Sequence, residues 1–214
     1  MTKPTLILAD DHTLVVEGFR RLLEEHCTLL ATVGDGRALL DAVARHTPDI
    51  VILDISMPVL NGIDAARQLR AAYPGVKLVF VTMHADAAYI RAAFKAGASA
   101  YLLKGSLGEE LSQALRTVQA GGYYVTPLIT KEVIDALMQG GPAAMTHPVD
   151  LTARQREVLQ LLAEGCSAKD IAARLNISPR TVEFHKAQLM EQLDLHSTVD
   201  LVKYALANGF VGAS

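Results

Sequence analysis

The stretch DIVILDISMPVLNGID, residues 49–64, decides the fold because it holds a strand, a turn and the start of a helix. Its apolar run Ile50–Leu53 predicts a strand buried on both faces, as is typical of parallel sheets. Asp54 follows that strand directly, and a helical pattern begins at Ile63 after a turn that contains Pro, Asn and Gly. The stretch therefore predicts one strand–helix unit of a parallel sheet, with a carboxylate at the end of its strand.

The same alternation of strand and helix continues in both directions from residues 49–64. Five strands alternating with five helices predict an α/β doubly wound five-stranded parallel sheet with helices on both faces. The predicted strands are Thr5–Ala9, Leu29–Val33, Ile50–Leu53, Lys77–Val81 and Ala100–Leu103. The predicted helices lie near residues 14–25, 38–47, 63–73, 87–95 and 106–120, and Ser106 with Glu109 predicts a capping box for the last one.

Polar residues of types that bind phosphate or metal ions follow several of these strands. Asp10 and Asp11 follow the first strand, Asp54 the third, Thr82 the fourth and Lys104 the fifth. The carboxyl ends of parallel strands meet at one edge, where such sheets bind ligands. Carboxylates this close repel one another unless a cation lies among them, and oxygen ligands select Mg²⁺. Each residue alone is usually structural, but the set predicts a magnesium and phosphoryl site.

A second domain follows a segment that contains several glycines and prolines. Residues 123–148 predict a linker with one short helix near residues 131–138, which leaves a first domain at 1–122 and a second at 149–214. The second domain has a purely helical pattern, and each of its four helices has its own start signal. These signals are Thr152 with Gln155, Ser167 with Asp170, Ser178 with Pro179, and Ser197 with Asp200. The tight connection 176–178 between the second and third helices predicts a helix-turn-helix.

The third helix of this domain is expected to read DNA. Val182, Leu189 and Leu193 share its buried face, so the opposite face is free to reach base edges. Cationic residues beside it and on the preceding helix are expected to contact phosphates. The predicted DNA-binding residues are Lys169, Arg174, Ser178, Arg180, Thr181, Glu183, Phe184, Lys186, Ala187 and Gln188.

Composition and charge narrow the class of protein. The chain has 214 residues, half of them hydrophobic, and a net charge of −3. Its overall charge therefore does not indicate nucleic-acid binding. Residues 149–214 contain seven Lys and Arg against eight Asp and Glu, so we expect weak DNA binding by one copy and a homodimer on paired half-sites. Two distant cysteines and the absence of a long apolar run predict a soluble, cytoplasmic protein with no membrane partner.

Two families share their motifs with this chain. The segments ADDH (9–12), DIVILDISMPVLNGID (49–64), VTMH (81–84) and GASAYLLK (97–104) resemble the receiver domain of two-component response regulators. The segment LTARQREVLQLLAEGCSAKDIAARLNISPRTVEFHKAQLMEQL (151–193) resembles the LuxR-type output domain of the NarL/FixJ subfamily. Together they cover nearly all of the chain except the linker. The resemblance implies a flavodoxin-like receiver followed by an all-α four-helix helix-turn-helix domain.

The resemblance also implies a chemistry for the acidic residues. Asp54 would accept a phosphoryl group from a sensor histidine kinase, with Mg²⁺ as the cofactor. Asp11 and Asp54 would bind the metal directly, Asp10 largely through water, and Ser56 through its backbone carbonyl.

Three further residues would respond to the phosphoryl group. Thr82 would supply the switch hydroxyl, Lys104 would pair with the phosphate, and Tyr101 would change rotamer on activation. The phosphorylated protein would dimerise and bind double-stranded promoter DNA. The resemblance thus implies a transcriptional regulator that slowly hydrolyses its own aspartyl phosphate and turns over no external substrate.

Two other functions remain open from the residues alone. A phosphatase of the haloacid-dehalogenase type also forms an aspartyl phosphate with Mg²⁺, but it needs a second aspartate where Ser56 stands. Alternatively, the mildly acidic helical domain could bind a protein instead of DNA. A salt-dependent DNA-binding assay separates that function from promoter binding.

Overall fold

The N-terminal domain of the computed structural model is a doubly wound parallel sheet. The structure describes residues 3–23, 26–131, 133–134 and 151–211. Its strands are β1 (Thr5–Ala9), β2 (Thr28–Val33), β3 (Ile50–Leu53), β4 (Lys77–Thr82), β5 (Ala98–Leu103) and β6 (Tyr124–Val125). They pair in parallel in the order β2-β1-β3-β4-β5-β6. The predicted sheet class is confirmed, but the prediction of five strands is wrong because the sheet has six.

The sixth strand lies in the segment that sequence assigned to the linker. Its two residues pair with β5, and the Thr126 amide next to it donates to the Tyr101 carbonyl at 3.0 Å. The Thr126 hydroxyl accepts from the Leu103 amide at 3.1 Å, and Ile129 of the following 3₁₀ turn is buried in the N-terminal core. A two-residue strand is too short to show a periodicity of its own, which is why the sequence did not predict it. The predicted linker helix near residues 131–138 falls mostly outside the described residues.

Helices cover both faces of the sheet and bury its strands. These helices are α1 (Thr13–Leu23), α2 (Gly36–His46), α3 (Gly62–Ala72), α4 (Ala87–Lys95) and α5 (Leu107–Gln119). Helices α2, α3 and α4 pack on one face, and α1 and α5 pack on the other. The predicted capping box at Ser106 is wrong: residues 104–106 form a 3₁₀ turn, and the Ser106 side chain makes no capping bond.

The C-terminal domain is built from four helices within residues 151–211. They are α6 (Ala153–Ala163), α7 (Ala168–Leu175), α8 (Pro179–Leu193) and α9 (Thr198–Ala207). The four predicted N-terminal caps are present, and those of α6 and α7 form complete capping boxes. Asn176 ends α7 in the left-handed conformation, so the short turn to α8 completes the predicted helix-turn-helix. Val182 and Leu189 lie in the buried core of this domain, and Leu193 packs at its edge.

Two further expectations concern the cysteines and the membrane. Cys27 and Cys166 are both free, and burial raises the pKa of the Cys27 thiol to about 11. Within the described ranges, none of the helices combines the length and apolar character that a bilayer span requires.

Candidate phosphoacceptor pocket and DNA-facing helix

The sheet brings Asp10 and Asp54 together because β1 and β3 are neighbours. Both aspartates follow their strands directly, and both are almost completely buried. Helix α3 begins very close to this point: a Cβ on Gly62 would lie 1.9 Å from the Asp54 carbonyl oxygen. Only glycine allows this approach without a shift of the backbone.

Lys104 joins the two buried carboxylates. Its Nζ lies 2.7 Å from Asp54 Oδ2 and 2.8 Å from Asp10 Oδ2. Burial alone would lower the pKa of Lys104, but the hydrogen bonds and charges of both aspartates raise it above its ordinary value. The lysine therefore stays charged and compensates the two buried carboxylates.

Asp11 and His12 complete a set of possible metal ligands at the mouth of the pocket. One ligand atom from each of Asp10, Asp11, His12 and Asp54 lies within 4.8 Å of the others. Two oxygens on opposite sides of one Mg²⁺ are about 4.2 Å apart, so the carboxylates fit a single ion after small movements. Ser56, whose carbonyl was predicted as a further ligand, lines the same pocket. His12 Nδ1 lies 2.8 Å from Asp11 Oδ1, so this imidazole holds the exposed carboxylate at the pocket rim.

Thr82 lies in the wall of the pocket, and Tyr101 contacts the same wall through His84. Thr82 ends β4 and is fully buried, and its hydroxyl accepts from the His84 amide at 3.4 Å. Tyr101 is also fully buried, and its hydroxyl donates to the His84 carbonyl at 2.9 Å. Burial, with a further contribution from the charge of Asp54, raises the pKa of the Tyr101 phenol. The segment after β4 thus connects the Thr82 hydroxyl with the Tyr101 hydroxyl through the backbone of His84.

His84 is a site residue that the sequence did not single out. Its Nε2 makes a 2.8 Å hydrogen bond with the Ser56 hydroxyl, and its ring stacks on Tyr89 with centroids 4.0 Å apart. Burial lowers the pKa of His84, although the charges of Asp54 and Asp86 oppose this effect. The VTMH segment contained this histidine, but only the fold shows that it reaches across to the loop after β3.

These residues surround a cavity of about 610 Å³. The C-terminal domain contributes to its wall through Glu164 and Val211, which sequence reasoning did not place there. The described lining residues are Asp11, His12, Val15, Asp54, Ser56, Met57, Pro58, Thr82, Met83, His84, Lys104, Glu164 and Val211. The candidate phosphoacceptor pocket is therefore lined by residues of both domains.

The outer face of α8 is open to solvent. Glu183 is 57% exposed and Phe184 is 58% exposed, and Arg180 and Ala187 are exposed beside them. Gln188 is half-buried on the same side. The residues predicted to reach base edges therefore form one accessible surface.

The residues predicted to contact phosphates lie around that surface, although several already have partners. Lys169 is exposed, whereas Lys186 is 3.5 Å from Glu183 and Arg174 is 3.9 Å from Glu164. Ser178 caps α8, and its hydroxyl lies 2.8 Å from that of Thr181. The hydroxyls of Ser178 and Thr181 thus stabilise the start of the helix.

Comparison with known families assigns both domains. Residues 6–116 match the family described as "Response regulator receiver domain". Residues 149–205 match the family described as "Bacterial regulatory proteins, luxR family".

Several relatives align with this chain along nearly their whole length. The oxygen regulatory protein NreC of Staphylococcus epidermidis is 36% identical, over 94% of this chain and 96% of NreC. The transcriptional regulatory protein MctR of Rhizobium johnstonii is 35% identical, over 98% of this chain and 96% of MctR. The structure of RcsB from Salmonella enterica serovar Typhimurium, bound to promoter rprA in the presence of phosphomimetic BeF₃⁻, is 25% identical. It aligns with a TM-score of 0.59 over 96% of this chain and 99% of RcsB.

Proposed function

The chain belongs to the response regulators that join a receiver domain to a LuxR-type DNA-binding domain, and on that basis we propose that Asp54 is its phosphoacceptor. The protein is a transcriptional regulator and not an enzyme that turns over an external substrate. The observation that carries the proposal is the position of Lys104, whose ammonium group contacts both Asp54 and Asp10 inside the pocket. This family assignment excludes the alternative function as a phosphatase of the haloacid-dehalogenase type.

Phosphoryl transfer begins from the Asp54 carboxylate. An Asp54 oxygen attacks the phosphorus of a phosphohistidine on the sensor kinase, and the phosphorus–nitrogen bond breaks as the new oxygen–phosphorus bond forms. Asp11, Asp54, the Ser56 carbonyl and, through water, Asp10 would hold Mg²⁺, which would supply positive charge to neutralise the phosphoryl oxygens. Lys104 follows the new negative charge from the carboxylate to a phosphoryl oxygen, because its ammonium group is already 2.7 Å away.

Thr82 and Tyr101 are the residues that respond to phosphorylation. The Thr82 hydroxyl donates to a phosphoryl oxygen, which fixes the segment after β4. Tyr101 then remains inside, with its hydroxyl on the His84 carbonyl as in this structure. Without the phosphoryl group this segment is less restrained and the ring exchanges between inward and outward positions, so the pair forms a two-state switch.

The helix-turn-helix transmits this switch to DNA. The base-reading residues are Arg180, Glu183, Phe184, Ala187 and Gln188 on the open face of α8. Lys169, Arg174, Lys186 and the hydroxyls of Ser178 and Thr181 contact the phosphates of double-stranded promoter DNA. The C-terminal domain has no excess of basic residues, so a phosphorylated homodimer on paired half-sites supplies the affinity that one copy lacks.

The domain boundaries and the cellular compartment complete the proposal. The receiver spans residues 1–122, the linker 123–148 and the DNA-binding domain 149–214, with the first linker residues packed on the receiver sheet. The protein acts in the cytoplasm, where a regulator can reach both the kinase and the chromosome.

Phosphorylation by acetyl phosphate tests the assignment of Asp54. The wild type should gain one phosphoryl group in the presence of Mg²⁺, and chelation of Mg²⁺ should prevent this gain. D54N should gain none, whereas D49N changes an aspartate at the opposite end of the same strand and should be phosphorylated normally. Intact-protein mass spectrometry reads the result, and full phosphorylation of D54N would overturn the proposal.

A further inference from the structure

The DNA-binding domain is attached to the receiver through a buried polar face of α6. Gln160 is 1% exposed, and its Nε2 donates to the Met57 carbonyl at 2.9 Å. Its Oε1 accepts from the Asn61 amide at 2.8 Å. Asn61 Nδ2 donates to the same oxygen at 3.2 Å, so one side chain of the DNA-binding domain makes three hydrogen bonds with the loop that follows the phosphoacceptor strand.

Ion pairs extend this contact along α6. Glu157 is 3% exposed and pairs with Arg37 of the receiver, and Arg156 Nε lies 3.0 Å from Asp64 of the receiver. Buried polar groups are expensive to separate from their partners, so these contacts specify one docked position of α6.

Glu164 caps the same helix and lies at the edge of the phosphoacceptor pocket. Its Oε1 accepts from the Val59 amide at 3.0 Å and from Gln160 Nε2 at 2.8 Å. Arg174 lies 3.9 Å from the other oxygen of this carboxylate. Since Glu164 lines the cavity that contains Asp54, docking places a carboxylate and the negative end of a helix dipole in the wall of that cavity.

The backbone of the receiver loop also depends on docking. Val59 has a φ of 68°, a left-handed conformation that is costly for a β-branched residue. Its amide bonds to Glu164, and its side chain packs against the core of the DNA-binding domain. A strained residue persists where its surroundings hold it, so the loop from Ser56 to Asn61 is expected to relax when the domains separate.

The docked position leaves the DNA-facing surface open. Glu183 and Phe184 remain largely exposed, whereas Glu164 is inside the wall of the receiver cavity. The contact therefore affects the phosphoacceptor pocket directly and does not hide the helix that reads DNA.

We infer that Glu164 belongs to the phosphoacceptor site and opposes the phosphoryl group, so that docking of the DNA-binding domain and phosphorylation of Asp54 disfavour each other. This inference rests on the proposed role of Asp54. A phosphoryl group carries a charge of about −1.5 to −2 at neutral pH, and a carboxylate in the wall of the same cavity repels it. The coupling is reciprocal: the phosphoryl group weakens docking by the same factor by which docking weakens the phosphorylated state.

The negative charge of Glu164 should have opposite effects on the binding of Mg²⁺ and of BeF₃⁻, whereas a role in packing alone should not. Calorimetric titration of the full chain measures first Mg²⁺ binding and then BeF₃⁻ binding at saturating Mg²⁺. E164Q keeps an oxygen that accepts both hydrogen bonds but removes the charge. It should weaken Mg²⁺ binding and strengthen BeF₃⁻ binding by about fivefold, a size typical of one like charge in a partly hydrated site. E191Q makes the same charge change at an exposed position on α8 and should change neither.

A second pair of variants tests whether the effect needs docking. Q160R should separate the domains, which faster hydrogen exchange of the Val59 and Asn61 amides would report. In the Q160R background, E164Q should no longer change BeF₃⁻ binding, whereas E164D in the wild-type background retains the carboxylate and should not strengthen it.

Four results would overturn the inference: unchanged BeF₃⁻ binding in E164Q, a shift of both ions in the same direction, an equal gain in E164D, or an effect that persists with Q160R. The proposed function fails separately, namely if the wild type shows no Mg²⁺-dependent BeF₃⁻ binding or if D54N retains it.

Discussion

Replacing Lys104 by methionine should destabilise the metal-free receiver because it leaves two buried carboxylates without a cation. Lys104 contacts Asp10 at 2.8 Å and Asp54 at 2.7 Å, and those two carboxylate side chains are 2% and 3% exposed. Methionine retains most of the length and apolar volume of the lysine stem. The substitution therefore removes the charge with little change in packing.

The size of this loss follows from the burial of the three groups. Removing one partner of a buried ion pair costs about 3–5 kcal/mol, because the remaining charge stays desolvated. Asp54 lines an open cavity and is therefore not completely desolvated, so we expect about 3 kcal/mol for K104M. Mg²⁺ at about 100 times its dissociation constant stabilises a protein by ~2.7 kcal/mol, and K104M should gain more than the wild type because its unpaired carboxylates bind the ion more tightly.

Urea unfolding measures the effect in EDTA and again in saturating Mg²⁺. Tyrosine fluorescence reports mainly on the receiver, because the chain has no tryptophan and all its tyrosines except Tyr204 precede the DNA-binding domain. K95M, at an exposed position at the end of α4, controls for the loss of a lysine charge. A loss below about 1 kcal/mol in K104M, or a Mg²⁺ gain no larger than in the wild type, would refute this account of the pocket.

Three further predictions concern the switch, the metal and the DNA. Y101F removes the hydrogen bond to the His84 carbonyl and should lower the free energy of unfolding by about 1 kcal/mol in urea titrations; an unchanged value would contradict that contact. D11A should weaken Mg²⁺ binding about tenfold or more in calorimetry and slow phosphorylation to match, whereas an unchanged titration would remove Asp11 from the site. E183A should change the preferred base at one position at a cost of roughly 1–3 kcal/mol, but K169A should weaken all sequences equally and reduce the salt slope by about one. Binding titrations on single-base operator variants at several salt concentrations measure the effects of E183A and K169A. If E183A ranked the operator variants by affinity as the wild type does, the proposed orientation of α8 would be contradicted.

Strong local patterns made most of the fold predictable from sequence. The run Ile50–Leu53 gave a strand with the same bounds in the structure, and the caps at Thr152 and Ser167 gave the starts of two helices. Tyr124–Val125 was missed because two residues have no measurable period, and its pairing with β5 is tertiary. Ser106 failed as a cap because the 3₁₀ turn after β5 changes the backbone at that residue.

The candidate pocket was predictable only where strand ends define it. Asp10, Asp54 and Lys104 could be grouped because the carboxyl ends of parallel strands converge, and the structure places them in direct contact. The contribution of the DNA-binding domain could not be predicted. Asn61 and Gln160 are 99 residues apart in sequence, and nothing in either local pattern indicates the other. Such polar contacts between domains depend on the docked position of whole helices, which no short motif specifies.

The affinity of the protein for a selected operator, with and without Mg²⁺ and BeF₃⁻, tests most directly whether phosphorylation of Asp54 controls DNA binding. The dissociation constant of the wild type should fall by about tenfold or more when both are present, which corresponds to ~1.4 kcal/mol. D54N should bind the same operator with the basal affinity and show no response. An equal gain in D54N, or no gain in a wild type that demonstrably binds BeF₃⁻, would contradict this claim.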